Sequence, residues 1–309
     1  MHWDLLKPAL VLGIIQVGLY GFLPISLVLT YRVSRTIAFF HGGIAASAGM
    51  FYWFFRYDAA FVPGHRPELP GWMALVVTTV LGAIAGGAFG VFVMHRKISM
   101  QGPLALTIIS LAGMMLLVGV LTSTNLSPAE ILPGGVMTGT SNIFGVVITT
   151  DQVFACACVV VLVMILAAVM TRTRAGMSIR ALSDDIEASV WCGVKLHQVG
   201  TAVYVASGAI AALGGALIAI RVGPDPIQML FLFLRGLGVA MLGGMRSLPL
   251  ALLGSLIYSM VETSLNIGLF GTVSLDKQEI IINAVLVGAI FYIARQRKED
   301  FFLLERQAL

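Results

Sequence analysis

Long apolar runs recur along this chain at a length that few architectures accept. They fall near residues 9–30, 36–55, 72–94, 103–122, 152–170, 199–220, 228–243, 248–265 and 278–294. About 20 consecutive apolar residues in a helix cross the hydrocarbon core of a bilayer. Apolar residues make up 58% of the 309 and charged residues 11%. The charged share is about half that of a soluble domain. A soluble core in a chain of this size has no room for so much apolar surface. In lipid, moreover, each spanning segment must satisfy its own backbone hydrogen bonds, which helices do. The expected fold class is therefore all-α: a polytopic transmembrane helical bundle, one transmembrane domain over 1–309, with about eight or nine membrane segments. The first run is too long for a cleaved signal peptide, its flanks are not strongly basic, and no Ala-x-Ala site follows it. It reads as a retained helix.

Cations mark the expected orientation. Arg32 and Arg35 follow the first run, and His95, Arg96 and Lys97 the third. Arg172, Arg174, Arg180 and Lys195 follow the fifth, and Arg295, Arg297 and Lys298 the last. Cytoplasmic loops carry an excess of Lys and Arg. The loop 122–151 has neither and is expected outside, as is the Pro-rich loop 56–71. Alternation then gives an external N-terminus and a cytoplasmic C-terminus. The region 230–250 is less regular. Its segment is short and interrupted by Gly236, Gly238, Gly243 and Gly244, and Arg246 follows. It reads as a cytoplasmic turn or as a broken, re-entrant element, and such elements tend to line cavities. Elsewhere Gly82, Gly86, Gly87 and Gly90 place small residues at helical spacing, which permits close helix packing in lipid. Cys156, Cys158 and Cys192 have no metal-ligand spacing.

One connection is neither short nor apolar. Residues 171–198 form a polar stretch between two long runs. Asp184 is a suitable N-cap with Glu187 three residues later, as in a capping box. Gly193 is well placed to end the helix. The expected element is a helix of about two turns, 185–192, with Ile186 and Val190 on one face and Ala188 and Trp191 nearby. Two turns are not stable alone in water, so this helix must pack on the bundle, on a partner, or on both. It reads either as an interfacial connector anchored by Trp191 or as a coupling helix that enters a partner's groove.

The residues in and around this stretch carry a resemblance. Ile179-Arg-Ala-Leu-Ser-Asp-Asp-Ile-Glu-Ala-Ser-Val-Trp-Cys-Gly-Val194 resembles the cytoplasmic loop of permease subunits of branched-chain amino acid-type ABC importers. In the same order, three further stretches resemble family motifs: Arg35-Thr-Ile-Ala-Phe-Phe-His-Gly42, Ala206-Ser-Gly-Ala-Ile-Ala-Ala-Leu-Gly-Gly-Ala-Leu217, and Leu242-Gly-Gly-Met-Arg-Ser-Leu-Pro-Leu-Ala-Leu-Leu-Gly254. Glu262 falls on an acidic position of the following helix. The chain departs from the family where Ala38 replaces the usual Asn, and where Arg246 and Leu250 replace small residues. The resemblance implies a multi-pass permease of the bacterial cytoplasmic (inner) membrane. It would pair with a second permease subunit, two cytoplasmic ATPase subunits and a periplasmic or lipid-anchored solute-binding protein. Residues 184–194 would sit in a cleft of the ATPase. There Arg180, Asp184, Asp185 and Glu187 would supply polar contacts, and Ile186, Ala188, Val190 and Trp191 the apolar ones, with Gly193 as the stop.

The chain has no Gly-x4-Gly-Lys-Ser/Thr sequence. ATP and Mg would therefore be bound by the partner ATPases, and no cofactor is expected in this chain. No nucleophile elbow or His-Glu-x-x-His is present either, so an enzyme is not expected. Ionisable groups in spans are costly and usually face a cavity or a partner. His41 with Gly42, Arg235, Ser247 and Glu262 are accordingly candidate substrate-path residues, with Ser207 and Asn283 as further hydrogen-bonding groups. The rival readings are an ion-coupled secondary carrier of small organic solutes and a non-transporting membrane scaffold.

Overall fold

In the computed structural model the described residues are 6–56, 69–94, 102–123, 135–137, 139–143, 146–245, 247–268, 280–284, 287–288 and 291. Among the described residues the chain runs through helices α1 (Leu6–Tyr20), α2 (Phe22–Ser34), α3 (Phe40–Arg56), α4 (Gly71–Val93), α5 (Pro103–Ser123), α6 (Thr150–Arg172), α7 (Arg174–Asp184), α8 (Ile186–Trp191), α9 (Leu196–Val222), α10 (Pro226–Leu242) and α11 (Leu248–Asn266). The loop expected at 122–151 is not wholly irregular. It holds a small antiparallel hairpin, β1 (Thr140–Ile143) against β2 (Val146–Thr149), with Thr140 opposite Thr149.

Among the described residues five helices are long and apolar enough to cross a membrane: α4, α5, α6, α9 and α11. The pair α1 and α2 makes a sixth if its two halves count as one span. The expected eight or nine crossings are thus not the count that length and composition give. The run at 36–55 forms a helix of 17 residues, and α10 is an apolar helix of the same length. Most of the run at 278–294 lies outside the described residues, as do Arg246 and the loop cations His95, Arg96 and Lys97.

The first run is bent by 44° at Gly21. Pro24 supplies the cause. It has no N–H to donate to the carbonyl of Tyr20, one turn back, and its ring crowds that carbonyl. The released Tyr20 carbonyl accepts instead from Ser255 Oγ of α11 at 3.4 Å.

Helix α9 is the axis of the bundle. In its most apolar window 72% of residues are buried, against 17% for α6. It packs against α4, α3 and α2, and small residues set each approach. A Cβ on Gly86 would stand 2.9 Å from Gly208 Cα, and one on Gly208 would stand 2.8 Å from Gly86 Cα. Gly82 and Gly90 meet Ala212 and Tyr204 of α9 in the same row, so the expected glycine face is a helix-packing face. The substitution Gly86→Leu is expected to force α4 from α9 and cost about 2 kcal/mol. Gly119→Leu should be neutral, because a Cβ at Gly119 meets nothing within 4 Å. Unfolding midpoints of the two variants in detergent check this.

Candidate coupling elbow and intramembrane polar cluster

The polar stretch 171–198 folds as two helices, not one. Thr173 leaves the helical conformation after α6, and its Oγ1 accepts from Gly176 N at 3.0 Å, capping α7. Helix α7 buries Gly176, Ile179 and Leu182, three residues apart, against the bundle. That spacing of apolar residues behind an N-cap threonine is the sequence signal for a helix that a reading centred on Asp184 passes over.

The N-cap of the short helix also moves by one residue. Asp184 is the last residue of α7, whereas Asp185 is extended at φ −146° and its carboxylate accepts from Ala188 N at 3.1 Å. Glu187 is therefore the second helical residue, not the third, and the expected capping box does not form. Its charge still lies in the first turn, where the helix dipole favours it. Asp185 O accepts from Ser189 Oγ at 2.6 Å, and Ser189 is buried beneath α8. The end of α8 is as expected. Gly193 N donates to Val190 O at 3.0 Å and Val194 N to Ser189 O at 3.1 Å, with Gly193 at φ +90°. This pair of bonds is the Schellman stop, and the left-handed residue it needs is cheapest as glycine.

The two sides of this elbow differ. Ile186 packs on the core with Val194 and Leu196, whereas Val190 is 47% and Trp191 is 89% exposed. The apolar face predicted for α8 is thus divided between anchor and tip. Ala188 and Glu187 are exposed as well. The base of the elbow is fastened to α2. Arg35 takes the left-handed conformation after that helix, and its guanidinium donates to the carbonyls of Ser183 and Asp184. Those carbonyls belong to the last turn of α7, where a cation also meets the negative end of the helix dipole.

The candidate path residues do not gather in one place. His41 is fully buried. Its Nδ1 lies 3.1 Å from Ala38 O and its Nε2 2.8 Å from Ser207 Oγ. A carbonyl only accepts, so Nδ1 carries the proton, while the one Ser207 hydroxyl proton has two acceptors in reach, Nε2 and the Tyr204 carbonyl at 3.2 Å. Gly42 beside it is a contact point: a Cβ there would stand 2.7 Å from the Phe233 ring. Ser247 begins α11 as its N-cap residue. Glu262 lies fifteen residues on in the same helix, roughly 22 Å away along its axis, so these two share no site.

Arg235 and Glu262 do meet. Arg235 Nη1 donates to Glu262 Oε1 at 3.3 Å, with the side chains 19% and 8% exposed. Tyr20 lies close to the same carboxylate and meets Tyr258 edge-on at 5.1 Å, and Arg221 lies within electrostatic reach of Glu262. Tyr20 and Arg221 join the pair without a local sequence signal, because α1 and α9 reach it only through the fold. Arg235 and Tyr20 face a cleft of about 580 Å³, together with Gln228, Phe231, Leu232 and Asn283. Such a cleft offers cationic, carbonyl-amide and apolar surface to a small solute. Among the described residues no three His, Cys, Asp or Glu side chains come together in a way that could hold a metal ion.

Comparison with known proteins agrees with this architecture. The chain matches the family described as "Branched-chain amino acid transport system / permease component" over residues 9–294. It is 24% identical over 258 residues to the high-affinity branched-chain amino acid transport system permease protein LivH of Escherichia coli K12, covering 81% of this chain and 82% of the relative. LivH of Salmonella typhimurium is 23% identical over the same extent. The permease protein BraD of Pseudomonas aeruginosa is 28% identical over 133 residues, and that alignment spans 43% of each chain. No solved structure matches the chain. A family of transport components, rather than of enzymes, accounts for a multi-pass helical chain with a polar elbow, and this protein belongs to the branched-chain amino acid transport system permease family.

Proposed function

We propose that the chain is the membrane-spanning permease subunit of an ABC importer for branched-chain amino acids or related small polar solutes, seated in the bacterial inner membrane. Two separate ATPase subunits drive it through the elbow α7–α8, and a second permease subunit completes the pathway. A periplasmic or lipid-anchored binding protein delivers the solute. The observation that carries the reading is the elbow itself: a short helix anchored by Ile186, Ser189 and Leu182, with Val190 and Trp191 bare at its tip. An exposed tryptophan on a capped, fastened helix suits insertion into a protein groove. A capped helix also transmits a push that an irregular loop would absorb. Asp184 and Asp185 stiffen the elbow from within, as the end of one helix and the cap of the next. Glu187 supplies a polar contact at the tip, and Arg180 one at the base of the elbow, in α7.

The Arg235–Glu262 cluster is placed on the solute path. The cleft that Arg235 lines with Gln228, Asn283, Phe231 and Leu232 complements a zwitterion with an aliphatic side chain, and His41 with Ser207 ties α3 to α9 elsewhere in the bundle. The test is purification from native membranes followed by reconstitution. The chain is expected to co-elute with an ATPase and to support uptake only when ATP and the ATPase are present. Uptake by the chain alone, driven by an ion gradient, would overturn the reading.

A further inference from the structure

A cleft of about 460 Å³ opens beside the base of the elbow, lined by Arg32, Arg35, Arg180, Ser183 and Asp184. Three guanidiniums therefore face one carboxylate. Two come from the end of α2 and one from α7. Arg35 is engaged with the carbonyls of Ser183 and Asp184. Arg32 stands 3.9 Å from Met170 Sδ and within electrostatic reach of Asp184. Arg180 is exposed. A carbonyl is a dipole and cancels no net charge, so the cleft keeps an excess of positive charge. Convergent guanidiniums are planar, permanently charged forks that match a phosphate better than any other common anion except a carboxylate.

The position of the cleft selects the source of the phosphate. Arg32 touches Met170, the last buried residue of α6. About one and a half to three turns before it, α6 carries an exposed apolar flank with Val160, Val161, Met164 and Ile165. Helix α6 is also the least buried of the candidate spans. A basic cleft at the end of a lipid-exposed helix lies where phospholipid headgroups lie, and anionic headgroups are attracted to such clusters. No residue of α8 lines it, so the bare tip at Trp191 is a separate surface. We infer that this cleft binds the phosphate of an anionic phospholipid, whose acyl chains run along α6. The inference requires only that the chain spans a membrane. It does not depend on what drives transport or on which solute is carried.

A lipid held there would bridge α2 to α7 through its phosphate, adding to the Arg35 contacts. The test uses the full chain, with any subunits that co-purify, titrated in detergent with dioctanoyl phosphatidylglycerol, dioctanoyl phosphatidylcholine or inorganic phosphate. Bound molecules are counted by native mass spectrometry. Phosphatidylglycerol is expected to bind saturably and more tightly than the other two. Arg32→Gln and Arg180→Gln should each weaken it about tenfold, the scale of one lost charge-assisted contact. Arg172→Gln, on the exposed end of α6 outside the cleft, should leave it unchanged. Arg180 is exposed, so its variant keeps the test open if Arg32→Gln does not fold. Equal affinity for inorganic phosphate would make this a free-anion site and overturn the lipid assignment. Unchanged lipid binding in folded Arg180→Gln would place the lipid elsewhere. Release of bound lipid by an added ATPase subunit would make the cleft a protein contact instead.

Discussion

Replacement of residues 184–194 by a Gly/Ser linker of equal length is expected to reduce ATP-driven uptake to the level of vesicles that lack the chain. The same variant should still insert and fold. The physical reason lies in how little of α8 the bundle holds. Only Ile186 and Ser189 are turned inward, while Glu187, Ala188, Val190 and Trp191 face out. Losing two half-buried side chains, Ile186 and Val194, costs about 2–3 kcal/mol, which leaves the membrane bundle intact. What the linker removes is stiffness: the Asp185 cap at 3.1 Å and the two bonds that close the helix at Gly193. Uptake measured beside an unfolding midpoint separates the two effects. Wild-type uptake by the linker variant would show that α8 carries no drive.

The second large effect concerns the ion pair. Glu262→Ala leaves Arg235 charged at a mostly buried position, and stranding one member of a buried pair typically costs 3–5 kcal/mol, so a loss of about 3 kcal/mol is expected. The negative charge beside Tyr20 goes in the same step. The double variant Arg235→Ala/Glu262→Ala should be more stable than Glu262→Ala, because it removes the stranded charge with its partner. The measurement is thermal unfolding of the three proteins in one detergent. If the double variant is the least stable, the two side chains act independently and the pair is not the unit that matters.

How much of this was legible in the sequence depends on whether the signal is local. Gly193 as a helix stop needs only its neighbours, and the structure places it there. The glycine row of α4 is likewise a periodic signal, and it meets α9 where the spacing implies. The cap at Asp184 was off by one because two adjacent aspartates satisfy the same pattern, and only the packing of Leu182 and Ile179 shows which still belongs to α7. The crossing count is left unconfirmed for a different reason. Apolar run length does not see Pro24, which divides one run into two helices, nor how long a helix each run supports. The Arg235–Glu262 contact joins residues 27 apart on the two arms of a hairpin. The sequence allowed that pairing without favouring it over solvation of either charge.

The bend at Gly21 has a further consequence. Its two halves keep different company: α1 lies chiefly on α11 and α6, and α2 chiefly on α9. The carbonyl that a straight helix would need is already engaged by Ser255. Gly21 N still donates to Val17 O at 2.8 Å and Ile25 N to Gly21 O at 3.3 Å, so the bend gives up the Tyr20 rung while its neighbours hold the two halves together. The first crossing therefore ties two groups of helices together through its opposite halves, and a single proline sets the angle at which they meet.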